Sequence, residues 1–416
     1  MDRREFLMGV GGGIAAGAAS AACAGSPPPV RSELIFPLGH LHSHGSCVVQ
    51  CPNGDLLACW YLGSGERRAD DVRIMGARKR PRDTAWSEPF LMADVPGFPD
   101  CNPCMIIDPQ ERLWLFWPVI QANEWHTALL KCRISRNYQR RGAAPVWAEE
   151  RVVHLKPGPE FTQIVQEAVE RDLRRVDTFP EAQRPAVREY LERRRANAAD
   201  RYFNRLGWMP RVHPYILDGR RMILPLYSDG FDFSLMAITD DWGETWTTST
   251  PLVGDGPVQP ALARKRDGTL AAFMRDNGGP PQRLLYSESR DGGLTWSTVR
   301  DSEILNPGSG VDVVTLRDGR WVLINNDTER GRHSLLVSIS DDDGKTWRWN
   351  RHLERDVPDG TGFHYPSIIE AKDGALHATY TYSLPERAAQ KDVEGRPLRE
   401  AIRHARFGVD WVMRGD

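Results

Sequence analysis

Several short segments set anion-binding and proton-transferring side chains just ahead of apolar strands. They are "HSHGS" with His42, His44 and Ser46; Asp100 and Asn102; Arg211 and His213; Gln259; Asn306, Ser309 and Asp312; and His364 with Tyr365. The loop "GSGERRADDVRI" adds Glu66, Asp70 and Asp71, and Arg275 and Arg332 stand further along the chain. An imidazole acts as a base when neutral and as a cationic clamp when protonated. A guanidinium grips a carboxylate through two parallel hydrogen bonds. Two guanidiniums and an imidazole facing one cavity would favour an anionic ligand.

The cysteines point to scaffold. "CNPC" at Cys101 to Cys104 has the spacing of a metal or redox pair, but zinc-type sites need a second such pair and the sequence has none. Cys47, Cys51, Cys59, Cys101, Cys104 and Cys132 are expected as buried thiols or as a disulfide or two. No metal or cofactor is called for, and no clear all-oxygen cage for calcium stands out.

The elements that must position these groups recur along the chain. Six times an apolar strand, a turn usually of Asp-Gly type and a second apolar strand follow one another: residues 47–61, 104–117, 215–227, 261–274, 313–325 and 367–380. Such runs broken by Asn-Gly or Asp-Gly are hairpin signals, and their spacing suits a four-stranded unit that cannot bury both faces alone. Stacking the units radially solves that problem, so the expected fold is all-β, a six-bladed β-propeller over residues 33–413. In such a ring the starts of the innermost strands converge on the central channel, where the polar segments above would meet.

Three octets reinforce the repeat: "TDDWGETW" (239–246), "SRDGGLTW" (289–296) and "SDDDGKTW" (340–347), with their tryptophans 50 and 51 residues apart. Asp and Ser can bond the turn amides, Gly supplies a positive φ, and Trp turns back onto the neighbouring sheet. Three in register mark a structural repeat, with weaker echoes at 80–87 and 140–147. The segment "LIFPL" at 34–38 is expected to pair with the C-terminal strand near Ile402 to Val409 and close the ring.

One stretch breaks the pattern. Residues 157–210 carry helix formers, few β-branched residues and apolar spacing near 3.6, which predicts a helical pair inserted between blades two and three. Its Arg-rich face reads as a solvated surface.

A formal net charge of -2 gives no electrostatic footprint for nucleic acid. The N-terminus, with Arg3-Arg4, Phe6-Leu7 and a Gly/Ala-rich weakly apolar run, resembles a twin-arginine export signal over residues 1–26. Periplasmic or cell-surface placement is therefore expected, with Cys23 as the only membrane link if it carries a lipid anchor.

The repeats and octets together resemble the sialidase superfamily, six-bladed propellers with Asp-box turns, and within it the bacterial BNR-repeat sialidase-like branch. The resemblance implies an arginine triad for the substrate carboxylate, a tyrosine nucleophile activated by a glutamate, and an aspartic acid as general acid/base. A neutral tyrosine suits an anomeric carbon that bears a carboxylate, because an anionic nucleophile would be repelled. By family order Tyr365 takes the nucleophile's place, Arg275 and Arg332 two of the arginines', and Asp71, with Asp70 and Glu66 beside it, the acid's.

Two positions depart from that pattern. Gln259 stands where the glutamate belongs, and an amide can orient a hydroxyl but cannot take its proton. His44 stands where the first arginine belongs, as a replacement clamp or as a base. Glu66, Asn102, His213 and Asp312 would add substrate contacts. The expected partner is an acidic oligosaccharide or glycan. The expected activity is an exported sialidase-like glycoside hydrolase releasing a terminal acidic or modified sugar; a uronate-directed polysaccharide lyase using His44 and Tyr365, and a glycan-binding propeller without turnover, are the alternatives.

Overall fold

The computed structural model describes residues 30–140 and 143–416, so the expected signal and Cys23 lie outside the described residues. Six four-stranded antiparallel sheets are present, each built around one of the six sequence hairpins. In blades one, four, five and six a glycine holds the positive φ that closes the inner hairpin (Gly54, Gly268, Gly319, Gly374), and in blade two Glu111 takes it at 56°. The second strand of each hairpin is buried on both faces, as in "LWLFWPVI" of blade two, which explains its unbroken apolar run.

The ring is closed by the two ends of the chain. Arg31–Leu34 pairs with Glu400–Phe407 as the outer strand of blade six, with Arg31 opposite Arg406. The partner strand is the one expected, but the closing strand starts upstream of "LIFPL", of which only Leu34 belongs to it. Ile35 then packs in the core with Trp60 and Ile402.

The three octets share one bonding scheme. In the first, Thr239 Oγ1 donates to Asp241 Oδ1 at 2.8 Å, Gly243 N donates to Thr239 Oγ1 at 2.8 Å and Thr245 N to Asp241 Oδ1 at 2.9 Å. Ser289–Asp291 and Ser340–Asp342 repeat it. The tryptophans pack on the preceding blade, Trp246 against Phe116 and Trp347 against Phe273. These turns are scaffold that staples neighbouring blades.

The insertion holds two main helices, α1 (Pro159–Leu173) and α2 (Arg184–Ala199), followed by a short α3 (Arg201–Arg205). Phe161, Val165, Ala168 and Val169 form the buried stripe of α1, and Phe161 meets Trp208, Phe231 and Phe233 of blade three. Among the described residues the six cysteines are buried and unpaired.

Candidate active site

The inner strands change register at one common level. Pairing slips between His44 and Cys47 in blade one, Val258 and Ala261 in blade four, and His364 and Ser367 in blade six. Left-handed backbone marks each slip, at Gly45 (φ 64°), Gln259 (56°) and Tyr365 (49°), and Asn102 (40°) stands ahead of blade two's first strand. For a side chain with a Cβ this conformation costs roughly 1–2 kcal/mol, and it persists only where surrounding contacts impose it. Its effect is to re-aim a side chain off the pleat. Space is equally tight: a Cβ on Gly310 would stand 2.5 Å from Tyr365 Cδ1.

Asn102, Gln259 and Tyr365 thereby join His44, Tyr61, Glu66, Trp125, Tyr227, Asp229, Arg275 and Arg332 around a cavity of about 340 Å³. A larger recess of about 540 Å³ lies between blade two and α3, but leucines and Trp208 dominate its lining and it holds none of the groups ahead of the inner strands. The chemistry belongs to the smaller, polar cavity.

Tyr365 is surrounded by cations. Arg275 Nη1 donates to its hydroxyl at 2.7 Å and Gln259 Nε2 at 3.4 Å. The guanidinium carbons of Arg211 and Arg332 lie 4.8 and 5.3 Å from its ring centre. Burial works against ionising the phenol, but Arg275, Arg332, the Gln259 amide and Arg211 outweigh it and hold the pKa below that of an ordinary tyrosine. Arg211 is 1% exposed, tied to the carbonyls of Ser46 and Pro366, so it acts on Tyr365 from below while Arg275 and Arg332 face the cavity.

His44 is not a cationic clamp. Burial, and then the positive neighbours His42, His364, Arg332 and Arg211, hold its pKa well below the usual value. The neutral ring bonds Thr381 Oγ1 through Nδ1 at 3.0 Å and stands edge-on to Tyr365 with 4.2 Å between ring centres.

The blade-one side of the cavity is acidic. Tyr61 donates to Glu66 Oε1 at 2.7 Å, and His42 sits between Glu66 (3.2 Å) and Glu400 (2.8 Å). Burial opposes a charged His42, yet those two carboxylates raise its pKa to about 9. Burial and the Glu66 charge push Tyr61 well above the tyrosine range, whereas Glu66 is held low by His42 and Tyr61 against its own burial. Asp229 faces the water of the cavity but is crowded by its walls. Desolvation and the nearby Asp232 lift its pKa to about 6 against the pull of Arg275 and Arg67. Among the described residues its carboxylate has no hydrogen-bond or ion-pair partner.

Of the residues expected from the sequence, His44, Glu66, Asn102, Gln259, Arg275, Arg332 and Tyr365 meet here. Three do not. Asp71 is exposed and closes its own loop by accepting from Ser64 N (3.0 Å) and Ser64 Oγ (2.8 Å), so a turn claims the carboxylate expected as the acid. His213 and Asp312 are paired at 3.3 Å, His213 bonding Val48 O and Asp312 accepting from Ile368 N. Those partners lie two residues beyond Ser46 and Pro366, about 7 Å further along the inner strands, so the pair lies below the cavity and is not part of its lining. Sequence reasoning missed Tyr61, Trp125, Tyr227 and Asp229. Tyr61, Tyr227 and Asp229 share a signal, position at or just past the end of a blade's second strand, which returns to the same face as the start of the first. Trp125 instead opens the short 3-10 turn that follows blade two's second strand.

Residues 54–170 and 193–378 match the BNR repeat-like domain family. No curated protein matches the chain. Among solved structures it resembles the NanB sialidase of Streptococcus pneumoniae (13% identity, TM-score 0.62, 91% of this chain and 71% of that one). A leech intramolecular trans-sialidase, complexed with 2,7-anhydro-Neu5Ac, is similar at 13% identity and TM-score 0.64, covering 92% of this chain and 71% of that one. A protein of unknown function from Dyadobacter fermentans superposes at 14% identity and TM-score 0.62, covering 92% of this chain and 99% of that one. At these identities the likeness establishes the fold. With the family match running over most of the propeller, the chain belongs to the BNR repeat-like domain family and is a sialidase-like BNR-repeat protein.

Proposed function

We propose that this protein is an exported glycoside hydrolase of sialidase type that releases a terminal acidic sugar from a glycan, with Tyr365 as nucleophile. The observation that carries the reading is the Tyr365 oxygen, which accepts from Arg275 and Gln259 and lies within a ring of guanidiniums. Those cations do the work that the absent glutamate would do. They favour the phenolate directly and neutralise the sugar carboxylate that would otherwise repel it, so no base has to remove the proton during the reaction. Gln259 orients the oxygen without competing for a proton.

Arg275 and Arg332 receive the sugar carboxylate. The phenolate attacks the anomeric carbon, the glycosidic C–O bond breaks, and its electron pair goes to the departing oxygen. Asp229 supplies the proton that oxygen needs, because Glu66 is held ionised and Asp71 is engaged elsewhere. In the second half Asp229 takes a proton from water as the water oxygen displaces Tyr365, which leaves as phenolate. Support for a glycan partner also comes from the NanB and leech neighbours, which are sialidases by name.

Uronate elimination is the second reading, favoured by one observation: the neutral His44 ring against Tyr365. Products from a panel of acidic oligosaccharides separate the two. Hydrolysis gives a reducing acidic sugar and no ultraviolet-absorbing product, and both Tyr365→Phe and Arg275→Ala abolish release. An unsaturated product would transfer the site to the lyase reading, and full activity in both variants would remove these assignments.

A further inference from the structure

The helical insertion reaches the cavity through an unbroken line of hydrogen bonds. From α2, the Tyr190 hydroxyl donates to Asp232 Oδ2 at 3.2 Å. The other Asp232 oxygen accepts from Asn277 Nδ2 at 2.6 Å, and Asn277 Oδ1 accepts from Arg275 Nη2 at 3.0 Å. Arg275 Nη1 completes the line at the Tyr365 oxygen, 2.7 Å away. The outer end is anchored as firmly. Arg194, one turn further along α2 and 4% exposed, hydrogen-bonds the Tyr190 hydroxyl, lies 4.7 Å over its ring and donates to Gly254 O at 3.3 Å. Around the line, Asn197 of α2 bonds Gly230 O and Phe161 of α1 packs on Phe231, so the insertion also supports the loop that carries Asp232.

A guanidinium on a flexible stem has many rotamers, and only one brings Nη1 to the tyrosine while Nη2 is held by Asn277. Fixing it needs a partner on a rigid element outside the cavity. We propose that Tyr190 and Asn277 are positioning residues, and that the helical insertion serves to hold Arg275 against Tyr365. The catalytic consequence rests on the reading of Tyr365 as nucleophile; the structural claim does not. On this account the insertion is a buttress on its inner face and a solvated arginine surface only on its outer one.

The test reads Tyr365 itself. Its ionisation is followed in the intact protein by the ultraviolet difference signal of phenolate, with Tyr365→Phe as the blank. The charged and polar groups facing it are Arg275 and Gln259 from blade four, Arg332 from blade five, Arg211 and Tyr227 from blade three, and His44 and Tyr61 from blade one. Tyr190→Phe and Asn277→Ala change the charge of none of them. A loosened Arg275 stabilises the phenolate less, so the midpoint moves up, by about half a pH unit in Tyr190→Phe and about one unit, a tenfold change in the equilibrium, in Asn277→Ala. On an acidic glycoside kcat falls roughly three- to tenfold, in the same order, with KM changing less. Arg188→Ala, on α2 but exposed and, among the described residues, paired only with Asp177, shifts neither. Folded Tyr190→Phe and Asn277→Ala proteins that titrate as the unaltered chain does would overturn the proposal, and should Tyr190→Phe fail to fold, Asn277→Ala decides. Because the titration needs no substrate, absence of turnover on every glycan would count against the hydrolase reading and leave this result standing.

Discussion

The two walls of the cavity carry the same functional group in opposite states. On one, Tyr365 lies among Arg275, Arg332 and Arg211 and is more acidic than a free tyrosine; on the other, Tyr61 donates to Glu66 and is far less acidic. Both phenols are buried, so desolvation opposes ionisation in each. What separates them is the sign of the charge next door. Divergent pKa values within one site mark separate chemical duties; on the proposed reading anion binding and attack fall to Tyr365 and its arginines, and proton supply to Asp229.

The sharpest way to break this comparison is to remove each hydroxyl in turn. Tyr365→Phe is expected to lower kcat by on the order of a thousandfold or more on an acidic glycoside, as loss of a nucleophile does, while Tyr61→Phe lowers it by less than about tenfold. Comparable losses in the two would erase the distinction. Next in size is Asp229→Asn, with a loss of about 10² to 10⁴ on substrates with poor leaving groups and much less on activated aryl glycosides. Asp229 must be protonated to give its proton, so the pH profile of kcat/KM should fall above about pH 6, and that limb should vanish in the variant.

Arg332→Ala tests the anion-binding wall: removal of one charge-assisted contact, about 1.5–3 kcal/mol, should raise KM for a carboxylate sugar by about ten- to a hundredfold and leave a neutral analogue unaffected. The smallest effect concerns the acidic wall as structure. His42 has its pKa raised to about 9 from an ordinary 6.5. Its stabilising contribution is therefore complete below pH 6.5, declines as pH rises towards 9 and is absent above that. Unfolding temperature should drop across that window, and His42→Gln should be less stable at pH 6 yet flatter between pH 6.5 and 9.

The ring was legible in the sequence because its determinants are local. Hairpin turns, alternating apolar strands and the Ser/Thr–Asp–Gly–Trp octets each specify a unit without reference to the others, and the insertion announced itself by a change of period. Closure was harder: "LIFPL" is more apolar than Arg31–Leu34, but its Ile35 is wanted in the core beside Trp60. Within the site, the residues at the starts of inner strands were readable for the same local reason. Asp71 was misread because the Ser64 turn of its own loop claims its carboxylate, which residue type and loop position do not reveal. His213 and Asp312 were misread because depth along the channel depends on strand length and not on residue type. Asp229 and Tyr61 were overlooked because they lie at strand ends that only the folded ring brings back to the cavity.

The central claim is that the Tyr365 oxygen becomes bonded to the sugar. Asp229→Asn supplied with an activated acidic aryl glycoside should form that bond without an acid and break it slowly without a base. Intact mass should then rise by one sugar residue, and peptide mapping should place the increment on Tyr365. Turnover of the same substrate by the unaltered protein, with no sugar-sized increment on Tyr365 in the variant, would contradict the account.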